Sequence, residues 1–496
     1  MTTEIRKISI SNESISAIFI VIFMALFILV NLTYGFVWSL FILAVAVGFL
    51  IAVYSPQSGL LAIIPLTMLF ERFFTLQSFY LGRVEYKIYP LDFILAGIIL
   101  GIIFRILFQK INPAPSYAVS NSRQARISSG RCGIKFELHK ADWILIGFII
   151  LNFIYFAFSV FILKSDFALS FSTLKNYAFY GLLYFITAIL IKDQADLKRI
   201  FRFFLAGAIG IIIFIFIGIF RGEGLWTEFT PLSTSGFRIL AFTHGLYLTL
   251  ALIPILLIIA FKESRFQKFL YLISAVWIIG IVGSLMRHLW VSLFLAFILV
   301  LFLAGKKYAG NILKTALNFV PVLLIAVLVI IYLSAIFPTS KINYFASGVA
   351  SVVTQRAQSI ESFNEDESFF WRSIVWQSAY EELKNNPFLG IGTGKTIYAE
   401  TETYKDFIEA RNIHNSYLSI LLQFGLLGLL GFLYFVYLNV KNLLKNINFT
   451  SLSLAGIISL FLIAFLFQPY LETNMLAILF WISLGLTRNL SKFKPI

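Results

Sequence analysis

Apolar residues run along this chain in long unbroken stretches parted by short polar intervals, without the two-residue alternation of a half-exposed strand. A helix needs about 20 such residues to cross a bilayer, and barrel strands would have to alternate. The pattern predicts helices at roughly 16–34, 36–54, 58–70, 90–108, 142–163, 176–191, 200–220, 239–261, 268–286, 288–304, 314–337, 414–440, 451–467 and 474–489. The run 58–70 is short enough to be re-entrant, so the expectation is an all-α polytopic membrane protein with about 12–14 transmembrane helices. Two polar segments break the rhythm, 109–141 and 338–413. They divide the chain into transmembrane helices with a linker (1–337), a large loop (338–413) and a C-terminal helical set (414–496).

Composition agrees. With 59% hydrophobic and 13% charged residues, against about 25% charge in ordinary soluble domains, a water-soluble enzyme, a disordered chain and a fibre are all excluded. Cys132 is the single cysteine, which rules out an internal disulfide framework and a cysteine-rich metal site. The first run follows Arg6 and Lys7 and lacks a small-residue cleavage site, so it reads as a retained helix. Placing the N-terminus inside puts 24 of the 39 basic residues on the inner side, as the positive-inside rule requires. Both termini are then cytoplasmic. The net charge of +15 is thereby a mark of topology, and no nucleic-acid partner is expected. The linker 109–141 carries Pro113, Pro115 and a Ser/Arg/Gly run from Ser116 to Gly133, which reads as a flexible cytoplasmic segment near anionic lipid.

The outer loop 338–413 holds most of the candidate chemistry. Phe369, Phe370, Trp371, Ile374, Val375, Trp376, Ala379, Tyr380 and Leu383 recur at helical spacing and predict an amphipathic helix over Glu367–Leu383, stopped near Asn385-Asn386-Pro387. It would lie in the interface plane or pack on the bundle. Gly390-Ile391-Gly392-Thr393-Gly394-Lys395 offers backbone amides to a phosphate, but lacks the Walker spacing and reads better as a tight turn. His414 is expected in the first turn of the next helix, where the positive end of the helix dipole would keep it neutral and able to accept a proton. Arg238 and Arg287 stand at the outer ends of two antiparallel runs and should share one depth. Charges there are costly unless paired or solvated, and arginine suits bidentate phosphate contact. Simple anchorage is the competing reading for each. Arg372 and Arg411, in the loop, are further candidates.

Together these residues resemble a family. An arginine before a mid-chain span and Ser284-x-x-Arg287 at the exit of the next precede the long loop. That loop carries Arg372-Ser-Ile-Val-Trp376, Asn386-Pro387-Phe-Leu-Gly390-Ile-Gly392 and His414-Asn415-Ser-Tyr417-Leu418, and Gln423-Phe-Gly425-Leu-Leu-Gly428 follows. Residues 230–440 thus resemble the O-antigen ligase and polymerase superfamily of bacterial envelope glycan assembly. Leu285 and Met286 intervene where the family usually sets serine directly before arginine, and the linker is unusually long.

The resemblance implies a GT-C-like glycosyltransferase of the bacterial inner membrane, working on its periplasmic face with 338–413 as a periplasmic loop. The donor would be a glycan on undecaprenyl diphosphate, and the acceptor lipid A–core for a ligase or a second lipid-linked glycan for a polymerase. Arg238 and Arg287, with Arg372 or Arg411, would bind the diphosphate, and His414 would act as general base in an inverting, metal-independent transfer. No cofactor is expected. No Asp-x-Asp motif is present, and Glu365-Asp366-Glu367 reads as a solvated helix start. A flippase or other transporter would show two related halves and short loops, which the sequence does not.

Overall fold

A computed structural model describes residues 11–75, 79–81, 84–86, 88–111, 137–221, 239–261, 266–336, 343, 367–400, 405–445 and 447–493. The linker at 112–136, Arg238 and the loop residues 344–366 lie outside them. The protein is helical. Eight of its described helices are long and apolar enough to cross a membrane, and four shorter apolar ones accompany them.

The N-terminal helices are α1 (Asn12–Tyr34), α2 (Trp38–Tyr54), α3 (Pro56–Thr75) and α4 (Pro90–Ile111). The short apolar run at 58–70 is a full 20-residue helix, α3. Glu71 and Arg72 cut the apolar run before the helix itself ends. It packs between α1, α2, α4 and Gln194–Arg221 and is buried nearly all round, as a helix without a polar face must be.

Next come α5 (Lys140–Ala157), α6 (Phe167–Leu174), α7 (Leu182–Leu190), α8 (Gln194–Arg221), α9 (Phe242–Phe261) and α10 (Gln267–Gly283). The run 176–191 is less regular than its hydropathy implies. A π turn at Lys175–Phe179 precedes α7 and buries Lys175, Asn176, Tyr177 and Ala178 together. Such wide turns recur at functional sites. The run 288–304 lies in α11 (Arg287–Leu317), which bends at Gly305 (φ 62°), and α12 is Phe319–Ile336.

The described part of the loop between α12 and the next long helix has a small core of its own. Helix α13 (Glu367–Asn385) ends where Pro387 forbids continuation, and an antiparallel hairpin of two strands, Thr396–Glu400 and Lys405–Glu409, follows. Val375, Ala379 and Leu383 from α13 meet Ile397, Ala399 and Ile408 from the hairpin. The apolar stripe of the predicted helix is therefore spent on this hairpin and on the start of α14 (Ser416–Leu444). The chain closes with α15 (Phe449–Ala464), an irregular turn at 465–477 and α16 (Ile478–Thr487).

Helix α14 breaks at Gly425 (φ 65°), and the break receives the glycine-rich turn. Ile391 N–H donates to Leu422 O (2.8 Å), Gly392 N–H to Gln423 O (3.1 Å) and Leu426 N–H to Pro387 O (3.0 Å). Gly390 and Gly392 hold φ of 71° and 91°. The Ile391 and Gly392 amides are spent on carbonyls that the bent helix has freed, and the Gly390 amide closes the turn on Asn386 O (2.8 Å), which explains the glycines as a docking turn.

Candidate functional site

Four segments distant in sequence meet at one end of the bundle, and the turn 465–477 joins them. At the exit of α10, Leu285 adopts a left-handed conformation (φ 57°) and leads into Arg287, the first residue of α11. His288 Nε2 hydrogen-bonds the Tyr470 hydroxyl at 2.6 Å. Ile239 N–H donates to Gly283 O at 3.0 Å, so the chain just past Arg238 runs beside the exit that carries Arg287. Arg238 itself is not among the described residues.

His414 stands before the helix, not in its first turn. Asn415 is the N-cap, its side chain accepting from Leu418 N–H at 3.0 Å, so the dipole argument gives way to other causes. Burial first, and the Arg372 charge second, lower the His414 pKa to about 4, with the Gln468 side chain opposing. The ring stands edge-on to Trp371 at 5.0 Å, and its Nδ1 is buried without a hydrogen-bond partner among the described residues. The backbone at His414 is left-handed (φ 56°), which costs a side-chain-bearing residue about 1–2 kcal/mol. The neighbouring Ile413 carbonyl is fixed by Trp376 Nε1–H (2.8 Å).

Arg372, on α13, is half-buried, and its charge reaches both His414 and Tyr470. Burial pushes the Tyr470 phenol up, against the pull of Arg372. Tyr470 is thus bonded to the neighbour of Arg287 and sensed by the cation that also faces His414. Arg411 is placed differently. It is 7% exposed, paired with Glu409 at 2.7 Å and bonded to the Ser172 hydroxyl. Its charge is already matched, and it fastens the end of the hairpin to α6.

Further along the turn 465–477, buried polar groups are bonded to the bundle. The Lys175 ammonium pairs with Asp92 at 3.0 Å over the Tyr89 ring, and Tyr180 donates to the same carboxylate (2.7 Å). Asn474 donates to the Tyr89 hydroxyl (2.9 Å). Glu472 accepts from Ser416 Oγ at 2.6 Å and from the Tyr177 hydroxyl. Burial raises its carboxyl to about 7.

Sequence reasoning missed Gln468, Tyr470 and Glu472, because the turn read as a bare connection between two apolar runs. The signal was present. Gln468-Pro469-Tyr470-Leu471-Glu472 sets a carboxylate beside hydrocarbon, which is expensive unless it has a partner. Among the described residues no three His, Cys, Asp or Glu side chains group closely enough to hold a metal ion.

Chemically, the arrangement offers cations at the rim, a neutral imidazole among them and bonded polar groups further along the turn. Residues 270–433 match the family model described as O-Antigen ligase. No curated protein matches the chain.

Proposed function

We propose, on the match of residues 270–433 to the O-Antigen ligase family model, that this chain is an O-antigen ligase of the bacterial inner membrane. It takes a finished glycan from undecaprenyl diphosphate on the periplasmic face and joins it to a sugar hydroxyl of lipid A–core. A ligase- or polymerase-type activity follows from the domain; donor, acceptor and roles are our reading of the site.

The observation that carries it is the convergence of Arg372, His414 and the Arg287–His288 corner on the turn 465–477. As the anomeric carbon–oxygen bond breaks, negative charge grows on the leaving diphosphate. Arg287 and Arg372, with Arg238, meet that charge as preformed cations, which favours the transition state electrostatically. The acceptor oxygen attacks from the opposite face, its proton passes to His414, and the configuration inverts. Arg287 and Arg372 supply the neutralisation that a metal would otherwise give, so no metal is needed.

The low basicity of His414 fits this order of events. The Arg372 charge is one cause of it, and a bound diphosphate would offset that charge. The imidazole then gains proton affinity when the donor arrives.

The test is to give the purified protein lipid-linked glycan with and without lipid A–core. Transfer that requires lipid A–core is the expected result. Chain growth on lipid-linked repeats alone would identify a polymerase instead. Deleting the gene should leave uncapped core on the cell surface, whereas core capped with one repeat would again mean lost polymerisation.

A further inference from the structure

Glu472 lies beyond the matched domain, on no predicted span, yet it is 3% exposed and engaged on every side. One carboxylate oxygen takes the Ser416 hydroxyl (2.6 Å) and the other the Tyr177 hydroxyl. Its backbone carbonyl accepts from Asn176. Ser416 is two residues past His414 and is gripped from the same turn at other points. Its N–H donates to Phe465 O at 2.8 Å, and its hydroxyl oxygen accepts from Leu471 N–H at 3.4 Å. A left-handed histidine persists only if the flanking chain over-determines it. Trp376 holds the Ile413 carbonyl on one side of His414; on the other, Asn415 caps the helix and Ser416 is the first residue held from outside the segment. Tyr177 and Asn176 belong to the π turn, so the grip is anchored in the bundle.

We propose that Glu472 is a positioning residue for His414, acting through the Ser416 hydroxyl to hold the imidazole in its left-handed setting at the site. The inference rests on the reading of His414 as the general base. Glu472 touches neither donor nor acceptor. Its effect is on how often the imidazole is aligned, so it changes turnover and leaves diphosphate binding alone.

The full-length protein, in lipid nanodiscs, is assayed for glycan transfer from lipid-linked glycan extracted from its own cells. Binding of undecaprenyl diphosphate is measured alongside. Glu472→Leu should lower turnover about 100-fold, the scale of a misplaced general base, with undecaprenyl diphosphate affinity within about twofold. Glu472→Gln keeps the shape and one accepting oxygen and should recover turnover to within about tenfold of wild type. Ser416→Ala should lose about tenfold alone and add little in the Glu472→Leu background, since the two act through one bond. Wild-type turnover in Glu472→Leu, a fully additive double variant, or affinity falling in step with turnover would each overturn the proposal. Should Glu472→Leu fail to fold, Ser416→Ala decides: wild-type turnover there is equally fatal. His414→Ala separates the two readings. An active His414→Ala removes the base itself, whereas an inactive one beside a fully active Glu472→Leu removes only the positioning.

Discussion

The bundle buries polar clusters at both ends, and α5 reaches from one to the other, about 27 Å at 1.5 Å per residue. At its first turn Asp142 accepts from the His139 N–H (2.6 Å) and the Tyr184 hydroxyl (3.0 Å) and pairs with Arg488 (2.9 Å). Asn489 next door donates to Ala188 O and Ile191 O. Just beyond the far end of α5, Ser159 accepts from Thr393 N–H in the docking turn (2.8 Å), beside the site. Both clusters are buried, charged and paired, yet among the described residues only the one beside His414 carries left-handed backbone on side-chain-bearing residues. Leu285, His414 and Met475 all hold positive φ there, and among the described residues the His414 Nδ1 has no hydrogen-bond partner. At the Asp142 end, burial of charge closes helix ends. Burial together with strain and an unmet lone pair sets the His414 end apart and is what favours reading it as the binding end.

His414→Ala should break the contrast most. Turnover should fall about 100- to 10,000-fold while undecaprenyl diphosphate still binds; near-normal transfer would return His414 to a structural role. Arg488→Met at the opposite end strands a buried Asp142. It should lower stability by about 3–5 kcal/mol, seen as a lower unfolding midpoint, with turnover per folded molecule unchanged. If that variant lost turnover while staying folded, the Asp142 cluster would be more than a lock. Arg287→Ala should weaken undecaprenyl diphosphate binding about tenfold or more, as loss of a charge-assisted contact does; unchanged affinity would leave it a membrane anchor.

The smallest effects concern pH. His414 is depressed to about 4 from 6.5, so its contribution to stability is full above 6.5 and is lost as pH falls through 4. Glu472 is raised from 4.5 to about 7, so its contribution is full below 4.5 and is lost as pH rises through 7. Arg372→Ala should move the imidazole titration upward toward 6.5, readable by histidine NMR. No upward movement would mean that Arg372 does not act on the ring.

The helices were legible because bilayer-length apolar runs permit little else. The stop of α13 and the turn character of the glycine segment were legible from proline and glycine geometry. The π turn at Lys175–Phe179 was hidden, because hydropathy records composition and not the width of a turn. The site was half visible. Cations and an imidazole stand out against an apolar background, which is what singled out Arg287, Arg372 and His414 as candidates. Arg411 stood out in the same way, although its charge is matched by Glu409. A pairing partner two residues away cannot be told from a merely nearby one until the backbone direction is known. Gln468, Tyr470 and Glu472 escaped because their meaning lies in contacts with residues far off in sequence, His288 and Tyr177 among them.

The broken helix α14 has a consequence for engineering. A side chain at Gly425 would place its Cβ 2.2 Å from Phe388 O, and one at Gly390 would sit 2.6 Å from Leu422 O. Neither glycine can be replaced while the other segment stays seated. Hairpin, glycine turn and the upper half of this helix are therefore a single graft. A chimera that exchanges the exterior module between homologous bundles should succeed only when its crossover points fall outside 387–426.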